Sequence, residues 1–152
     1  MKLKCVKKDE GSRIKNFVTT ILHDEFSIDM AAYPHSDLDD LENSYGGQRE
    51  VFYCLIDNKK IVGTVAVKND DEKTALLRRL FVDPKYRGQG LGKKLVDAAL
   101  KFCKENKYER ICFRCTERMQ NAMKLCKAYG FVETEKAELA GFTIHHLLKE
   151  IP

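Results

Sequence analysis

The sequence predicts an α/β fold: a mixed, mostly antiparallel central sheet of about seven strands with helices on both faces, in a single domain over residues 1–152. Three observations predict it. Apolar runs of strand length and amphipathic runs of helix length follow one another as strand, two helices, three strands, helix, strand, helix, two strands; helices with strands on either side argue for a mixed sheet covered by helices. Short polar turns at 57–60 and 69–73 join three consecutive strands, as antiparallel neighbours are joined. A glycine-rich loop, Arg87-Gly88-Gln89-Gly90-Leu91-Gly92, carries the third of those strands into a helix.

Taken in order, residues 3–8 read as an edge strand. Ser12 is placed to cap a helix whose Ile14, Phe17, Val18, Ile21 and Leu22 recur at the spacing of one buried face. The chain loosens over 29–35. Ser36 is placed to cap a second helix over 37–45, with Asp37 and Asp39 in its first turn and Gly46-Gly47 ending it. Residues 51–56, 61–68 and 75–82 read as strands, the last stopped by Pro84. Residues 91–104 form a helix with a stripe of Leu91, Leu95, Val96, Ala98, Ala99, Phe102 and Cys103. Residues 108–115 are a strand and 119–128 a helix, which Gly130 closes with a left-handed turn. Two strands, 131–135 and 142–149, flank an Ala-Gly loop. No repeats, linkers or low-complexity tracts interrupt this order.

The composition is that of an ordinary soluble globular domain, with 43% hydrophobic and 33% charged residues. No apolar run approaches the roughly 20 residues that span a bilayer, and Met1 to Val6 is too short and polar for a signal peptide. The expectation is therefore a cytoplasmic protein with no membrane partner. A net charge of +4 is too weak to argue for nucleic acid. The charge is unevenly spread: between Leu22 and Gln48 there is no Lys or Arg, while Asp24, Glu25, Asp29, Asp37, Asp39, Asp40 and Glu42 are acidic.

The chemistry gathers at the glycine loop. Glycines at alternate positions leave backbone N–H groups bare, and the helix that follows adds free N–H groups and the positive end of its dipole. Phosphate suits such a place. Two common phosphate motifs are excluded. The dinucleotide pattern G-x-G-x-x-G needs glycine where Lys93 stands. The P-loop needs glycine at Arg87 and Ser or Thr at Lys94. The stretch from Arg79 through Val82-Asp83-Pro84 to Arg87-Gly88-Gln89-Gly90-Leu91-Gly92 instead resembles motif A of the GCN5-related N-acetyltransferases (GNAT), R/Q-x-x-G-x-G/A after a strand ending in V-x-P. Asp37-Leu38 with Tyr45 and Gly46-Gly47, Ile61-Val62-Gly63, and Met119-Gln120-Asn121-Ala122 with Leu125, Gly130 and Phe131 extend the resemblance over nearly the whole chain.

The resemblance implies the family's fold and an acyltransferase that moves acetyl from acetyl-CoA to a primary amine by direct attack on the thioester. It implies that the pyrophosphate lies on the amides of Gly88, Gln89, Gly90, Leu91, Gly92 and Lys93, and the pantetheine arm along Leu80, Phe81 and Val82, with the Val82 N–H facing the acetyl carbonyl. Arg87 and Lys93 are placed as cations for the phosphates, Lys94 is either a third or a merely solvated residue, and Asn121 is either a partner of the arm or an exposed helix residue. Two positions depart from the family. Many relatives carry Glu as base where this chain has Leu76, so a base would come from elsewhere, such as an acid of the 24–42 segment acting through water. The family's thiolate-protonating Tyr is Cys126 here. Cys126 is either a small buried residue or that acid, and Tyr129, one turn on, either a packing aromatic or a substitute hydroxyl. These departures keep open a non-catalytic acyl-CoA-binding or regulatory module. The resemblance also allows a homodimer.

The acidic 22–48 segment borders the acceptor side of such a fold, which points either to a cationic acceptor, such as a polyamine, an aminoglycoside-like amine or a basic peptide terminus, or to a merely solvated acidic surface. No metal is expected. Cys112 and Cys115 form C-x-x-C, but residues three apart on a strand face opposite ways. His145 and His146 adjoin on a strand, and His23 and His35 lack partners at ligand spacing. A reducing compartment also argues against disulfides among the six cysteines.

Overall fold

The computed structural model describes residues 1–6 and 8–152. Its strands are β1 (Lys2–Cys5), β2 (Val51–Asp57), β3 (Lys60–Asn69), β4 (Thr74–Val82), β5 (Arg110–Thr116), β6 (Val132–Leu139) and β7 (Phe142–Glu150); its α-helices are α1 (Gly11–Glu25), α2 (Ser36–Asp39), α3 (Leu41–Tyr45), α4 (Leu91–Glu105) and α5 (Gln120–Ala128). Among the described residues the strands form one seven-stranded sheet in the order β1-β2-β3-β4-β5-β7-β6. Every neighbouring pair is antiparallel except β4 and β5. The expected mixed α/β architecture is the one observed.

Local chemistry explains the antiparallel connections. Asn58 and Lys59 both have positive φ, 51° and 71°, as do Ala140 and Gly141 at 51° and 84°. Two left-handed residues in succession make the two-residue turn whose twist matches that of paired strands. Between β3 and β4, the Asp71 carboxylate accepts the N–H groups of Lys73 and Thr74 at 2.9 and 2.8 Å.

The helices divide between the faces. Gly63 of β3 lies under Leu95 of α4, and the Tyr53 ring meets Phe102 of α4 edge-on. Phe52, one residue away on β2 and therefore on the other face, packs edge-on against Tyr45 of α3. So α4 and the adjoining α5 cover one face, and α1 to α3 cover the other. Leu95, Val96, Ala99 and Cys103 of α4 are fully buried, which at about 1.5–3 kcal/mol for a buried Leu or Val side chain makes α4 a main contributor to the core.

Four boundaries differ from expectation. The edge strand is Lys2–Cys5 rather than 3–8, and residue 7 lies outside the described residues. Ser12 does not cap α1; the helix starts at Gly11, with Glu10 at its N-cap and no side-chain cap bond. Ser36 likewise lies inside α2, and the single helix over 37–45 is two short ones. Asp40 breaks it by leaving helical geometry and accepting the Asn43 N–H, which starts a fresh helix. β6 runs to Leu139, not 135, because the tight 140–141 turn keeps a largely polar and exposed ladder in register with β7.

Candidate active site

The parallel ladder between β4 and β5 has its register pairs from Thr74↔Arg110 to Leu77↔Phe113 and stops there, although β4 continues to Val82 and β5 to Thr116. A β-bulge on β4 opens this split. Thr64↔Phe81 and Ala66↔Arg78 are paired, so Arg79 and Leu80 together face Val65 of β3. Arg79 has φ +54°, uncommon for a residue with a side chain. The surroundings hold it there. Thr64 Oγ1 donates to the Arg79 carbonyl at 2.7 Å, and the buried guanidinium donates to Asp37 at 2.6 and 3.1 Å and to the Pro34 carbonyl at 2.7 Å. Such strain, of order 1–3 kcal/mol, persists where neighbours over-determine it.

Asp37 is the anchor of this arrangement. Burial works against its charged form, but the Arg79 guanidinium and the Tyr45 hydroxyl outweigh burial and hold its carboxyl below the usual value. Tyr45 in turn is pushed up, first by burial and then by its bond to that carboxylate.

The split turns backbone groups toward open space. The Asp83 N–H donates to Val62 on β3 at 2.8 Å. N–H groups alternate sides along a strand, so the Val82 N–H and C=O point the other way, toward the gap. The Val82 carbonyl there accepts from Arg87 Nε at 3.2 Å.

Two cavities meet at the split. The first, about 350 Å³, lies between β4, the glycine loop and α5. Leu80, Phe81, Val82, Arg87, Gly88, Gly90, Leu91, Gly92 and Asn121 all line it; Gln89 and Lys93 do not, and their side chains are exposed. Gly88 and Gly90 have φ +80° and +79°, so the loop needs residues without Cβ. Gly90 is the N-cap of α4 and offers no side-chain cap, which leaves the first N–H groups of the helix to a ligand or water. Gly92 is packed closely: a Cβ there would lie 2.9 Å from Leu125 of α5. The second cavity, about 390 Å³, lies on the far side of the split, against β5, β7 and residues 32–34. The two share Leu80, Phe81 and Met119, so they adjoin at the gap between β4 and β5, here termed the passage.

Around that passage sits a polar network on which no site residue was placed from the sequence. Asp29, fully buried, accepts from Thr116 Oγ1 at 2.6 Å and from Arg118 at 2.8 Å. Tyr33 accepts the Thr116 N–H at 2.7 Å and donates to Thr116 Oγ1 at 3.2 Å. Burial pushes the Tyr33 hydroxyl up to about 12. These bonds tie residues 29–33 to the end of β5. The sequence signal for them was weak, since each partner lies more than eighty positions from the other.

The two candidate acids are not brought to the passage. Cys126 is fully buried, lines neither cavity, and burial pushes its thiol up to about 12. Tyr129 lines neither cavity; its hydroxyl donates to Asp97 at 2.7 Å on the outer side of α4, and desolvation together with that carboxylate pushes it up to about 12. Arg87, expected to face phosphate, is paired with Glu25 at 2.5 and 2.8 Å. Among the described residues no group of three His, Cys, Asp or Glu is placed to hold a metal. No helix among them is long and apolar enough to cross a membrane.

The acids of the 22–48 segment are largely spoken for. Glu25 pairs with Arg87, Asp29 with Arg118, Asp37 with Arg79, and Asp39 with Lys15, while Asp40 caps α3. Among the described residues no Asp or Glu lines the second cavity, but Arg78, Arg79 and Arg114 do.

Known proteins share this architecture. An acetyltransferase of the GNAT family from Staphylococcus aureus superposes with a TM-score of 0.88 over 99% of both chains at 23% identity. An aminoglycoside 6'-N-acetyltransferase complexed with coenzyme A superposes with a TM-score of 0.77, over 100% of this chain and 98% of that one, at 11% identity. These likenesses define the fold. Residues 16–131 match the model of the acetyltransferase (GNAT) family, and the chain belongs to that family. An N-acetylaspartate synthetase from Xenopus tropicalis is 32% identical over 115 residues, which are 74% of this chain and 40% of that protein. The chain thus spans well under two thirds of that curated relative.

Proposed function

We propose that residues 1–152 form one N-acetyltransferase domain that moves acetyl from acetyl-CoA to a primary amine. The observation that carries this reading is the split between β4 and β5, with the glycine loop at one mouth and a separate cavity at the other. A thioester entering from one side and an amine from the other meet beside Leu80, Phe81 and Met119. The synthetase relative is named for an N-acetylated amino acid, and one structural neighbour holds coenzyme A; both are in keeping with this reading.

In this mechanism the amides from Gly88 to Lys93 and the N-terminus of α4 take the pyrophosphate, as helix N-termini take anions. Asn121, on α5, is offered to the pantetheine arm. The arm runs along the edge of β4 that β5 leaves unpaired. The Val82 N–H, turned into the gap, polarises the acetyl carbonyl and stabilises the oxyanion as it forms. The neutral amine attacks the carbonyl carbon, the tetrahedral adduct collapses, the C–S bond breaks, and CoA leaves as thiolate. With Leu76 where relatives carry Glu, the attacking amine loses its proton to water or to a relay through it. Cys126 and Tyr129 take no part; water reaching the open first cavity protonates the thiolate.

A second reading rests on Leu76 and Cys126, which stand where relatives carry Glu and Tyr: an acyl-CoA-binding module without turnover. One experiment separates the two. The purified protein is mixed with acetyl-CoA and a panel of primary amines, and free thiol is followed. Amine-dependent thiol release with formation of the acetamide supports the transferase; CoA binding with no amine turned over supports the module. The same protein, sized by light scattering, tests a homodimer, and fractionation of cells tests a cytoplasmic location.

A further inference from the structure

We propose that the second cavity is a carboxylate site: the acceptor amine is a small amino acid, and Arg78 and Arg114 hold its carboxylate. The transferase reading above supplies the reaction; the binding itself stands on the geometry of the cavity.

Leu77↔Phe113 is the last register pair between β4 and β5, and Arg78 and Arg114 are the next residue on each strand. By alternation both lie on the face of Leu76 and Cys112, away from α4. Two guanidinium-bearing residues therefore flank the split where it begins, and both line the second cavity. Their charge is only partly offset. Arg79 has its guanidinium committed to Asp37 and Pro34. Arg78 has only a 3.8 Å approach to that same Asp37 and a place over the Tyr45 ring. Arg114 is exposed, and no acid pairs with it among the described residues. Its cross-strand neighbour is His146, whose Nδ1 is 3.6 Å from Glu135. One carboxylate, Asp37, thus stands against three arginines. The lining on that face includes Leu76, Cys112 and Ile144, whose apolar surface strengthens any charge interaction made there.

Arginine presents a planar fork that matches a carboxylate. A cationic acceptor would meet repulsion here, and the acids that suggested one are paired elsewhere. Arg78 and Leu80 flank the bulge at Arg79 on β4, and both line the cavity. A carboxylate held at the arginines therefore leaves the amine of a small amino acid directed at the crossing of the two cavities.

The test uses matched acceptors: L-leucine, L-leucinamide and isoamylamine, with L-aspartate as a second free acid. Turnover with acetyl-CoA is measured, and acceptor binding to the CoA-saturated protein is measured separately by calorimetry. The expected result is that a free acid exceeds the amide and the decarboxylated amine in kcat/KM and in affinity. Arg114→Gln narrows that preference roughly tenfold or more, mainly through KM, and Arg114→Lys restores part of it. Because Arg114 has no acid partner, thermal unfolding of the variant is expected to match the wild type. Arg78→Gln repeats the loss from the other strand. Amides or decarboxylated amines used as well as the free acids would overturn the carboxylate site while leaving the transferase standing. Arginine-dependent binding of free acids with no thiol released would uphold the site and overturn the transferase. Free acids that bind no better than amides, with or without Arg114, overturn the proposal.

Discussion

Arg87 and Glu25 form a two-pronged ion pair, Nη1 to Oε1 at 2.5 Å and Nη2 to Oε2 at 2.8 Å, that ties the glycine loop to the last residue of α1. The Arg87 Nε also reaches the Val82 carbonyl, so the guanidinium joins the loop, α1 and the end of β4. Both side chains line the first cavity. At the proposed CoA site a phosphate would compete with Glu25 for the same cation. Glu25→Gln is expected to tighten CoA binding a few-fold at low salt, and Arg87→Gln to weaken it about tenfold, with both effects shrinking as salt screens the charges. Calorimetric titration with CoA at two ionic strengths checks this; weaker binding in Glu25→Gln would contradict it. The pair is partly exposed, so neither change is expected to cost more than about 1 kcal/mol of stability.

Gly90 carries the glycine loop into α4 with φ +79° and open space where a Cβ would lie. Gly90→Ala therefore meets backbone strain of about 1–2 kcal/mol rather than a clash. Its side chain would stand where the phosphates approach. The expected outcome is a modest fall in Tm and at least a tenfold rise in the KM for acetyl-CoA. Gly11→Ala is the control, since it has neither positive φ nor a close neighbour.

Asp37 and its partner Arg79 are both buried. Asp37→Asn leaves a guanidinium without its counter-charge, and breaking such a buried pair costs about 3–5 kcal/mol. The folded pKa of Asp37 is depressed, so the unfolded chain binds its proton more readily than the folded one. Its contribution is complete above the ordinary carboxylate value, about 4, and is lost as pH falls through the depressed folded value. Urea unfolding is expected to show a large gap between wild type and Asp37→Asn at pH 7 that narrows at pH 3. A constant gap would contradict the assignment.

Cys126 and Tyr129 lie away from the passage, so Cys126→Ala and Tyr129→Phe are each expected to leave kcat within about twofold. Their costs fall on stability instead. Removing the Cys126 sulfur from a fully buried site leaves a small void, costing on the order of 1 kcal/mol. Tyr129→Phe loses the hydrogen bond to Asp97, a partly exposed contact of about 0.5–1 kcal/mol. Loss of turnover with an unchanged Tm would restore either residue to the chemistry.

Much of the fold follows from local sequence. The β4 strand, the glycine loop and α4 fall within a residue of where periodicity and glycine placement put them, because apolar spacing, Pro84 and the two left-handed glycines act over a few residues. The boundaries that were missed depend on competition between near-equal local choices. Ser12 and Ser36 are good caps, but α1 begins one residue before Ser12 and α2 at Ser36 itself, and Asp40 rather than either serine makes a cap bond.

The sequence by itself determined the order of elements, the mixed sheet and the loop suited to phosphate, because each rests on contacts between residues close along the chain. Only the tertiary structure decided the site. The bulge at Arg79 needs Thr64 and Asp37, and the passage needs β4 and β5 to part after Leu77 and Phe113. Burial of Cys126 depends on which face of α5 meets the core. Within the acidic run from Asp24 to Glu42, folding sets Glu25, Asp29 and Asp37 against Arg87, Arg118 and Arg79, pairings that the order of charges along the chain does not show. Charge along a sequence is a property of residues, but the field in a cavity depends on which charges folding brings together and cancels.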